Sequence, residues 1–333
     1  MRQMDIVTDL GKFQKNRFPY LVIALGNFDG VHRGHLQILR VIRERARSRS
    51  GTSAVLTFKE HPQRVLHASE EPPILTSLAH KLYLLKQTEI DLCLLAAFTE
   101  TLSQKSAEAF VAEVLLETLG AREVCLGFNA RFGHQRLGDS QLMNQLARQH
   151  GFVFYEAEPF QVNGTVISSS LIRSLIQEGR LDRASTFLGR RYSFFGTVVS
   201  GARRGRTLGF PTANLDPHSE VMPPEGVYTA WIRLLDCHLR EAGDGWGKLE
   251  EQVVEGRWEA VLNYGRRETF GGGAKPIPEV HILNYHGTLL GKTVEVTIGE
   301  RLRAERQFRN REGLVSQIEE DVAHARRWFQ EQC

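Results

Sequence analysis

The sequence predicts two domains, an α/β domain with a doubly wound parallel sheet and then a small antiparallel β-barrel that ends in a helix. Three observations lead to this fold class. Apolar strand-like runs alternate with helical patterns as far as residue 188, which is typical of a parallel sheet with helices on both faces. Short β-rich runs separated by Gly and Pro follow. The length of 333 residues suits two domains, which we place at 1–187 and 188–333.

Bulk composition restricts the classes of function. The net charge is only +3 with both signs interspersed, so charge does not argue for a nucleic-acid partner. The apolar run 21–25 is far too short to span a membrane. The cysteines are far apart and form no CxxC pair, which disfavours a zinc site or a disulfide framework and fits a reducing cytoplasm. They are Cys93, Cys125, Cys237 and Cys333.

The first half is predicted to begin with a polar lead-in over residues 1–19 and then to alternate strands with helices. Pro62 ends the second strand in a loop, because proline cannot donate to a strand ladder. Strands are predicted at 21–25, 53–58, 91–96, 123–126 and 152–155, and helices from about Val31 and at 77–87, 106–119, 141–150 and 181–188. Since parallel sheets bind ligands at the carboxyl ends of their strands, we expect the site there.

The turn between the first strand and the first helix is the strongest local signal. Residues 26–30 include Gly, Asn and Asp, which adopt unusual backbone angles at little cost. His32 and His35 are three residues apart, so they lie on one side of the first helical turn. The N-terminus of that helix adds N–H groups and a positive dipole end. Together these features predict an anion cradle, with phosphate as the simplest occupant.

Two further loops carry polar groups. The loop 127–133 follows the fourth strand, and its Asn129 and Arg131 are polar enough to bind base, ribose or phosphate. In the run 167–173, three serines precede a helix in which Arg173 lies one turn inside. Serines at such a position can simply cap the helix. Backbone N–H groups, hydroxyls and a guanidinium together can also bind a triphosphate, which is the interpretation we favour.

The second half is predicted to be an antiparallel barrel that ends in a helix. Its strands are expected at 192–199, 227–234, 258–262, 280–283 and 293–298. Residues 236–257 are polar and contain glycine, and we expect them to form a surface-loop insertion. The final helix carries a stripe of apolar side chains at helical spacing, which predicts core packing. The stripe consists of Leu314, Ile318, Val322, Ala325 and Phe329.

The stretch 201–215 predicts a cationic loop followed by a metal site. Its two glycines and three arginines suit a mobile loop, although a run of arginines can also be a solvated surface or a basic nucleic-acid patch. Neither alternative explains the run Gly-Phe-Pro-Thr-Ala-Asn at 209–214. Thr212 and Asn214 are two apart on a strand-like segment, so they face the same way. A hydroxyl and an amide oxygen are hard ligands suited to Mg²⁺ held jointly with ATP phosphates. The chain contains no GxxxxGK[ST], so this is not a P-loop kinase.

These motifs resemble those of one bacterial family. The His-x-Gly-His run at 32–35 is similar to the signature of the nucleotidyltransferase superfamily. The longer run 26–35 resembles the bifunctional riboflavin kinase/FAD synthetase family specifically. The loop 127–133 resembles the G-x-[DN]-F-x-F-G loop of that family, with Ala130 in place of the usual aromatic residue. The run 167–173 resembles its I-S-S-[ST]-x-x-R element.

The resemblance continues through the second half, so it covers nearly the whole chain in the family's order. Residues 209–214 match the GxPTAN motif of riboflavin kinases, and the runs 223–228, 263–270 and 279–281 also match. Two departures stand out: Glu268 replaces a usual Pro, and Asn284 replaces a frequent Asp.

The resemblance implies a nucleotidyltransferase-type sheet, a riboflavin-kinase barrel and the site residues of both. It implies that Glu279 is the base of the kinase and that His32, His35 and Arg173 serve adenylyl transfer. The implied magnesium ligands are Thr212 and Asn214. The implied ATP- or flavin-binding residues are Gly26, Asn27, Phe28, Asp29, Gly34, Asn129, Arg131, Ser169, Ser170, Gly201, Arg206, Gly209, Pro211 and Arg266.

The implied reactions make different demands on the protein. Phosphorylation of riboflavin by ATP uses a neutral hydroxyl nucleophile, which benefits from a carboxylate base. Adenylyl transfer from ATP to FMN gives FAD and pyrophosphate, and its nucleophile is already an anion. That step needs positive charge around the α-phosphate instead of a base. The expected partners are therefore small molecules: riboflavin, FMN, FAD and ATP. Oligomeric state is not predicted.

Three alternatives are open at this level. The chain could be a riboflavin kinase whose nucleotidyltransferase half is inactive, which Ala130 encourages. It could be a flavin-binding regulator without turnover, although such a protein has no need of a base such as Glu279. It could also be a nucleotidyltransferase for another substrate such as phosphopantetheine, which the kinase-like half disfavours.

Overall fold

The computed structural model describes residues 4–60, 73–201, 205, 208–254, 256–266 and 276–332. The chain forms two compact units. Unit 1 comprises residues 1–74, 78–169 and 238–250, and unit 2 comprises residues 75–77, 170–237 and 251–333. The division at 187/188 stays a prediction. The expected loop at Pro62, and Arg206 and Glu268, lie outside the described residues.

Unit 1 is built on a parallel sheet, as predicted. Its strands are β1 (Asp5–Val7), β2 (Leu21–Leu25), β3 (Thr52–Phe58), β4 (Leu92–Ala96), β5 (Ala121–Gly127) and β6 (Val153–Ala157). They run parallel in the order β1-β4-β3-β2-β5-β6. The chain therefore winds outward from β2 to one edge and then crosses to the other side of β2. All five predicted strands are confirmed, with ends shifted by two residues at most.

The helices in the first 188 residues of the sequence also follow the predicted pattern. They are α1 (Arg33–Ser48), α2 (Leu78–Lys86), α3 (Glu100–Ser103), α4 (Ala107–Ala109), α5 (Ser140–His150), α6 (Ser169–Gln177) and α7 (Leu181–Leu188). A two-stranded hairpin, β7 (Gln161–Val162) and β8 (Thr165–Val166), was not predicted.

One predicted α-helix has a different geometry. After α4 the chain continues as a π-helix over Phe110–Thr118, where we expected α-helix to Leu119. Phe110, Val111 and Leu115 of this segment are buried, and they belong to the core cluster of unit 1.

The core of unit 1 explains why β2 is apolar throughout. Ile23 and Leu25 pack in a cluster with Phe110, Leu115 and residues of α5. Side chains alternate along a strand, so the intervening residues of β2 face the other way. Helix α1 contacts β2 and β3, and it buries its own Leu39 and Ile42.

Unit 2 contains a closed barrel of six antiparallel strands, which confirms the predicted architecture. The strands that follow residue 188 in the sequence are β9 (Ser193–Val199), β10 (Ala213–Asp216), β11 (Gly226–Glu241), β12 (Trp246–Val253), β13 (Trp258–Gly265), β14 (Ile277–Ile282) and β15 (Thr293–Ala304). All of them except β12 form the barrel. The barrel order is β13-β14-β10-β9-β15-β11, and pairing of β11 with β13 closes it.

A long helix, α8 (Arg311–Glu331), ends the described chain. Its Val322, Ala325 and Phe329 pack against barrel residues, as the apolar stripe predicts, and Trp328 joins them. Leu314 and Ile318 of the stripe are partly buried. Beside the stripe lies a buried charge, because Asp321 forms an ion pair with Arg303 at 2.8 Å from Nη2 to Oδ2.

Two expectations about irregular segments are wrong. The lead-in over 1–19 contains strand β1, which has too few residues to show the alternation of apolar and polar side chains that predicts a strand. The segment 236–257, expected to be a surface loop, contains the end of β11 and the whole of β12. β12 adds to the sheet of unit 1, because Trp246 pairs with Val7 and Gly247 with Ile6 in antiparallel register. Trp246 also stacks on Phe18, at 6.0 Å between ring centroids.

Candidate active sites

The topology of unit 1 brings two of the predicted loops together. Leu25 of β2 pairs with Leu126 of β5, so the chain segments that follow these residues leave the sheet side by side. This is the position at which the strand order reverses, where open α/β sheets bind ligands. The 26–30 turn and the 127–133 loop are about a hundred residues apart in sequence, and they share this crevice.

The backbone of the first turn is strained. Phe28 has a φ of 52°, Gly30 of 82° and Val31 of 38°. A positive φ is unusual for any residue except glycine and is an outlier for a β-branched one such as Val31. Strain of this kind persists only where the surrounding structure holds it, and it clusters at ligand sites.

The two histidines cap α1 reciprocally. The backbone N–H of His35 donates to Nδ1 of His32 at 3.3 Å, and the backbone N–H of His32 donates to Nδ1 of His35 at 3.4 Å. Their rings stack at 3.6 Å between centroids. Because both Nδ1 atoms accept, the proton of each neutral imidazole lies on Nε2, which makes that atom a donor. A β-carbon at Gly34 would lie only 3.3 Å from the His32 ring, so glycine permits this close arrangement.

A buried lysine that sequence reasoning missed supports the same turn. Lys81 on α2 donates from Nζ to the carbonyl of Phe58 at 3.0 Å and to that of Asn27 at 3.4 Å. Thr57 donates to the same Asn27 carbonyl at 3.1 Å. Burial lowers the pKa of Lys81, while Cys93 and Asp29 oppose that shift. The available signal was a lysine on the predicted inward face of a helix.

The serine-rich element begins beside the first turn. The hydroxyl of Ser169 donates to the backbone carbonyl of Asp29 at 2.9 Å. Ser169 and Ser170 are the first two residues of α6, where we expected all three serines to precede the helix, and Arg173 lies one turn inside it, as predicted. Ser170 and Arg173 belong to unit 2. One of the three serines is thereby tied to the turn that carries the histidines.

Asn129 and Arg131 lie exposed on the loop after β5. Arg131 forms an ion pair with Asp139, at 2.8 Å from Nη1 to Oδ2. Asp139 caps α5 by accepting from the backbone N–H of Leu142, and this hydrogen bond, with smaller help from Arg131, lowers the pKa of Asp139. In this structure the guanidinium of Arg131 therefore orders its own loop.

In unit 2, three of the predicted kinase residues converge across two barrel strands. Asn214 on β10 pairs in register with Glu279 on β14. The hydroxyl of Thr212 donates to Oε2 of Glu279 at 3.3 Å. Asn214 is only 7% exposed. The sequence places Thr212 and Glu279 67 positions apart, and the barrel brings their side chains into contact.

Glycines allow the chain to approach this cluster closely. A β-carbon built at Gly201 would overlap the side-chain amide of Asn214, and one at Gly205 would lie 2.9 Å from Oγ1 of Thr212. The segment before Thr212 is held from β14, because Nδ1 of His281 donates to the carbonyl of Pro211 at 2.8 Å. Gly209 lies in the same segment with a φ of 90°.

Arg266, the last predicted binding residue, directly follows β13. Its Nε donates to Glu225 at 2.9 Å, and its backbone N–H donates to Glu305 at 3.2 Å. Burial, with a smaller contribution from Glu225, raises the pKa of Glu305. Arg206 lies outside the described residues.

The side chains of Thr212 and Asn214 fit a hard divalent cation, because they offer a hydroxyl and an amide oxygen, and the carboxylate of Glu279 adds negative charge beside them. Mg²⁺ prefers oxygen ligands and keeps part of its coordination for water and substrate phosphates, so few protein ligands suffice.

Comparison with known proteins covers both halves of the chain. The family model for FAD synthetase matches residues 14–171, and the family model for riboflavin kinase matches residues 188–329. The curated relatives include proteins named bifunctional riboflavin kinase/FMN adenylyltransferase. The protein from Haemophilus influenzae is 31% identical over 307 residues, which is 92% of this chain and 94% of the relative. The one from Escherichia coli K12 is 32% identical over 308 residues, which is 92% of each chain.

The likeness extends to a further curated relative and to a solved structure. The Bacillus subtilis protein of the same name is 30% identical over 313 residues, 92% of each chain. A crystal structure from Streptococcus pneumoniae, described as a macrolide-efflux protein, covers 97% of this chain and 98% of its own at 25% identity, with a TM-score of 0.77. Within the part of the chain that the structure describes, no helix has both the length and the apolar character needed to cross a membrane.

Proposed function

The chain belongs to the bifunctional riboflavin kinase/FMN adenylyltransferase family, and we propose how its residues divide the two reactions. It is an enzyme of flavin cofactor synthesis that phosphorylates riboflavin to FMN and adenylates FMN to FAD. The proposed division assigns adenylyl transfer to residues 1–187 and phosphorylation to residues 188–333.

Glu279 is the proposed base for phosphorylation. It takes the proton of the ribityl hydroxyl as that oxygen attacks the γ-phosphate of ATP, and ADP leaves. The strongest support is the 3.3 Å hydrogen bond between Thr212 and Glu279, which puts the base beside the proposed metal ligands. Thr212 and Asn214 would hold Mg²⁺, which would neutralise phosphate charge. Gly201, Gly209, Pro211 and Arg266 are the proposed binding residues around them.

The first turn and the start of α1 are proposed to carry adenylyl transfer. A phosphate oxygen of FMN attacks the α-phosphate of ATP, and pyrophosphate leaves. The Nε2–H groups of His32 and His35 donate to the phosphate oxygens as negative charge builds, and Arg173 adds a guanidinium. The reciprocal cap, which turns both Nδ1 atoms towards the backbone, supports this assignment. Gly26, Asn27, Phe28, Asp29, Gly34, Asn129, Arg131, Ser169 and Ser170 are the proposed ATP- and flavin-binding residues.

The proposal extends to the setting of the enzyme. ATP is the co-substrate of both reactions, and Mg²⁺ is the proposed cation. We place the enzyme in the cytoplasm without a nucleic-acid partner. Support comes from Cys93, Cys125 and Cys237, which are buried free thiols and therefore suit a reducing compartment.

Single substitutions test the division of labour. His35→Ala should lower FAD formation from supplied FMN by about 10²–10³-fold and spare FMN formation from riboflavin. Glu279→Ala should do the reverse. Both products are separated chromatographically over time with ATP and Mg²⁺, and circular dichroism checks the fold.

His150→Ala and Glu319→Ala are the matched controls, because both side chains are exposed. If either site variant lost both activities while folded, the division would be wrong. If the unchanged protein made FMN but no FAD, the nucleotidyltransferase half would be inactive.

A further inference from the structure

A cavity lined by arginines lies on unit 2, among residues that neither reaction uses. Its volume is about 430 Å³, which is within the range of small-ligand sites. Arg190 and Arg191 precede β9, Arg233 lies on β11, and Arg257 precedes β13. Segments far apart in the sequence therefore bring four guanidinium groups to one cavity.

The positive charge of this cavity exceeds the nearby negative charge. Among the described lining residues, Glu295 is the one carboxylate, and it pairs with Arg233 at 3.2 Å. Glu220 is also close enough to act on Arg190. Burial lowers the pKa of Arg190 to about 10, and burial followed by repulsion from Arg233 and Arg191 lowers that of Arg257. Among the described residues, four arginines and the carboxylates of Glu295 and Glu220 are the charged groups placed at or beside this cavity.

Aromatic packing fixes two of the arginines before any ligand arrives. The guanidinium carbon of Arg257 lies 3.8 Å from the ring centroid of Trp231, and that of Arg191 lies 5.3 Å from it. Trp231 in turn packs on Trp328 at 4.8 Å. A guanidinium stacked on a ring presents its N–H groups at its edge, where they can bind the oxygens of an anion.

We propose that this cavity binds a diphosphate group. Arginines match phosphate oxygens with paired hydrogen bonds, and the excess of two positive charges suits two linked phosphates better than a single carboxylate. Arg257 occupies a face of Trp231, so recognition rests on charge rather than on stacking of a base. The diphosphate could be inorganic pyrophosphate or part of a nucleotide. This inference does not depend on the residues assigned to catalysis.

The test measures binding to the full chain by calorimetry in EDTA, because a site made of arginines needs no divalent cation. The probes are pyrophosphate, ADP and adenosine. The double variant Arg191→Gln/Arg257→Gln should weaken binding of pyrophosphate at least tenfold, and added salt should weaken binding to the unchanged chain. Adenosine should not bind. Arg190 and Arg233 are kept, because both lie near Glu295.

The matched control is Arg309→Gln/Arg327→Gln, which removes two exposed arginines of unit 2 and should bind as the unchanged chain does. Binding of both pyrophosphate and ADP would show that the diphosphate suffices, and binding of ADP alone would identify a nucleotide. Equal binding by all three proteins, or no binding to the unchanged chain, would overturn the proposal.

A second measurement avoids the risk that the double variant does not fold. Phenylglyoxal labels accessible arginines of the unchanged chain, and mass spectrometry locates each label. The diphosphate that binds should protect Arg191 and Arg257 but not Arg309. Labelling of Arg191 and Arg257 that the diphosphate leaves unchanged would contradict the site.

Discussion

At the scale of single residues, Gly201 is a sharp test of the proposed kinase site. Gly201→Ala should push the amide of Asn214 aside, because an added β-carbon would overlap it. A shift of about 1 Å can cost about 10²-fold in rate, so we expect FMN formation to fall by roughly that factor. FAD formation from supplied FMN should not change.

Gly243→Ala is the matched control, since nothing lies within 4 Å of a β-carbon there. It should leave both activities intact. Full kinase activity in Gly201→Ala would mean that Asn214 is not needed where it now lies.

Lys81 offers the corresponding test for adenylyl transfer. Lys81→Met keeps an aliphatic side chain but removes the hydrogen bonds to the carbonyls of Asn27 and Phe58. The strained turn should then shift, and FAD formation should fall by about 10–10²-fold. FMN formation from riboflavin should stay the same. Both rates are measured on the purified variant.

Lys86→Met, on the same helix and only partly buried, is the comparison. An equal loss of FAD formation in both variants would show that Lys81 has no special part in holding the turn.

For single residues, the sequence predicted which side chains belong to the candidate sites better than it predicted the contacts that those side chains make. The three-residue spacing of His32 and His35 predicts that they share a side of the helix, and the stacked rings confirm it. Nothing in the spacing predicts the reciprocal cap. The contact between Thr212 and Glu279 depends on the register of β10 and β14, which no local pattern encodes. Lys81 was missed because a single charge on an apolar helix face resembles a surface residue.

At the scale of elements, the hairpin formed by β11 and β12 should stabilise unit 1. The guanidinium carbon of Arg17 lies 4.8 Å from the ring centroid of Trp246, and Phe18 stacks on the same ring. Trp246→Ala should lower the free energy of unfolding of unit 1 by about 1–3 kcal/mol, less than for a fully buried tryptophan. Heating should therefore destroy FAD formation before FMN formation. Residual rates after graded heating measure this.

Lys248→Ala, on the same strand but exposed, should leave the heat resistance of both activities unchanged. If Trp246→Ala lost both activities at one temperature, the hairpin would not stabilise unit 1 selectively.

Helices and strands with a clear pattern of apolar residues could be predicted from the sequence. Elements whose position depends on partners distant in the sequence could not. The strands of the parallel sheet are continuous apolar runs, so their positions could be read directly. β1 has three residues, and its pairing with β4 and β12 defines it. β12 is polar because much of it is exposed, so its composition resembles that of a loop. The π-helix differs from an α-helix by less than one residue per turn, which a short apolar pattern cannot distinguish.

At the scale of the whole molecule, buried thiols should make stability fall in alkaline solution. Burial raises the pKa of Cys93 and Cys125 to about 12, from an ordinary value of 9.0. Between these values the unfolded chain has lost the thiol protons that the folded chain keeps. The free energy of unfolding therefore falls as pH rises, by up to about 1.4 kcal/mol per pH unit for each thiol.

Urea unfolding from pH 7 to 11 measures this effect. Cys93→Ala/Cys125→Ala should lose stability less steeply above pH 9 than the unchanged chain. Below pH 8 the two proteins should have parallel profiles, because the thiols are protonated in both states there. Parallel profiles over the whole range would show that other groups cause the alkaline loss.

The non-consecutive make-up of unit 1 has a consequence for its synthesis. The ribosome completes residue 169 some 81 residues before residue 250, the last that unit 1 requires. At typical bacterial elongation rates of about 5–20 residues per second, that interval lasts roughly 4–16 s. During it, β1 is an open sheet edge, the kind of surface on which other chains can pair. The nascent chain should therefore need protection until β12 emerges.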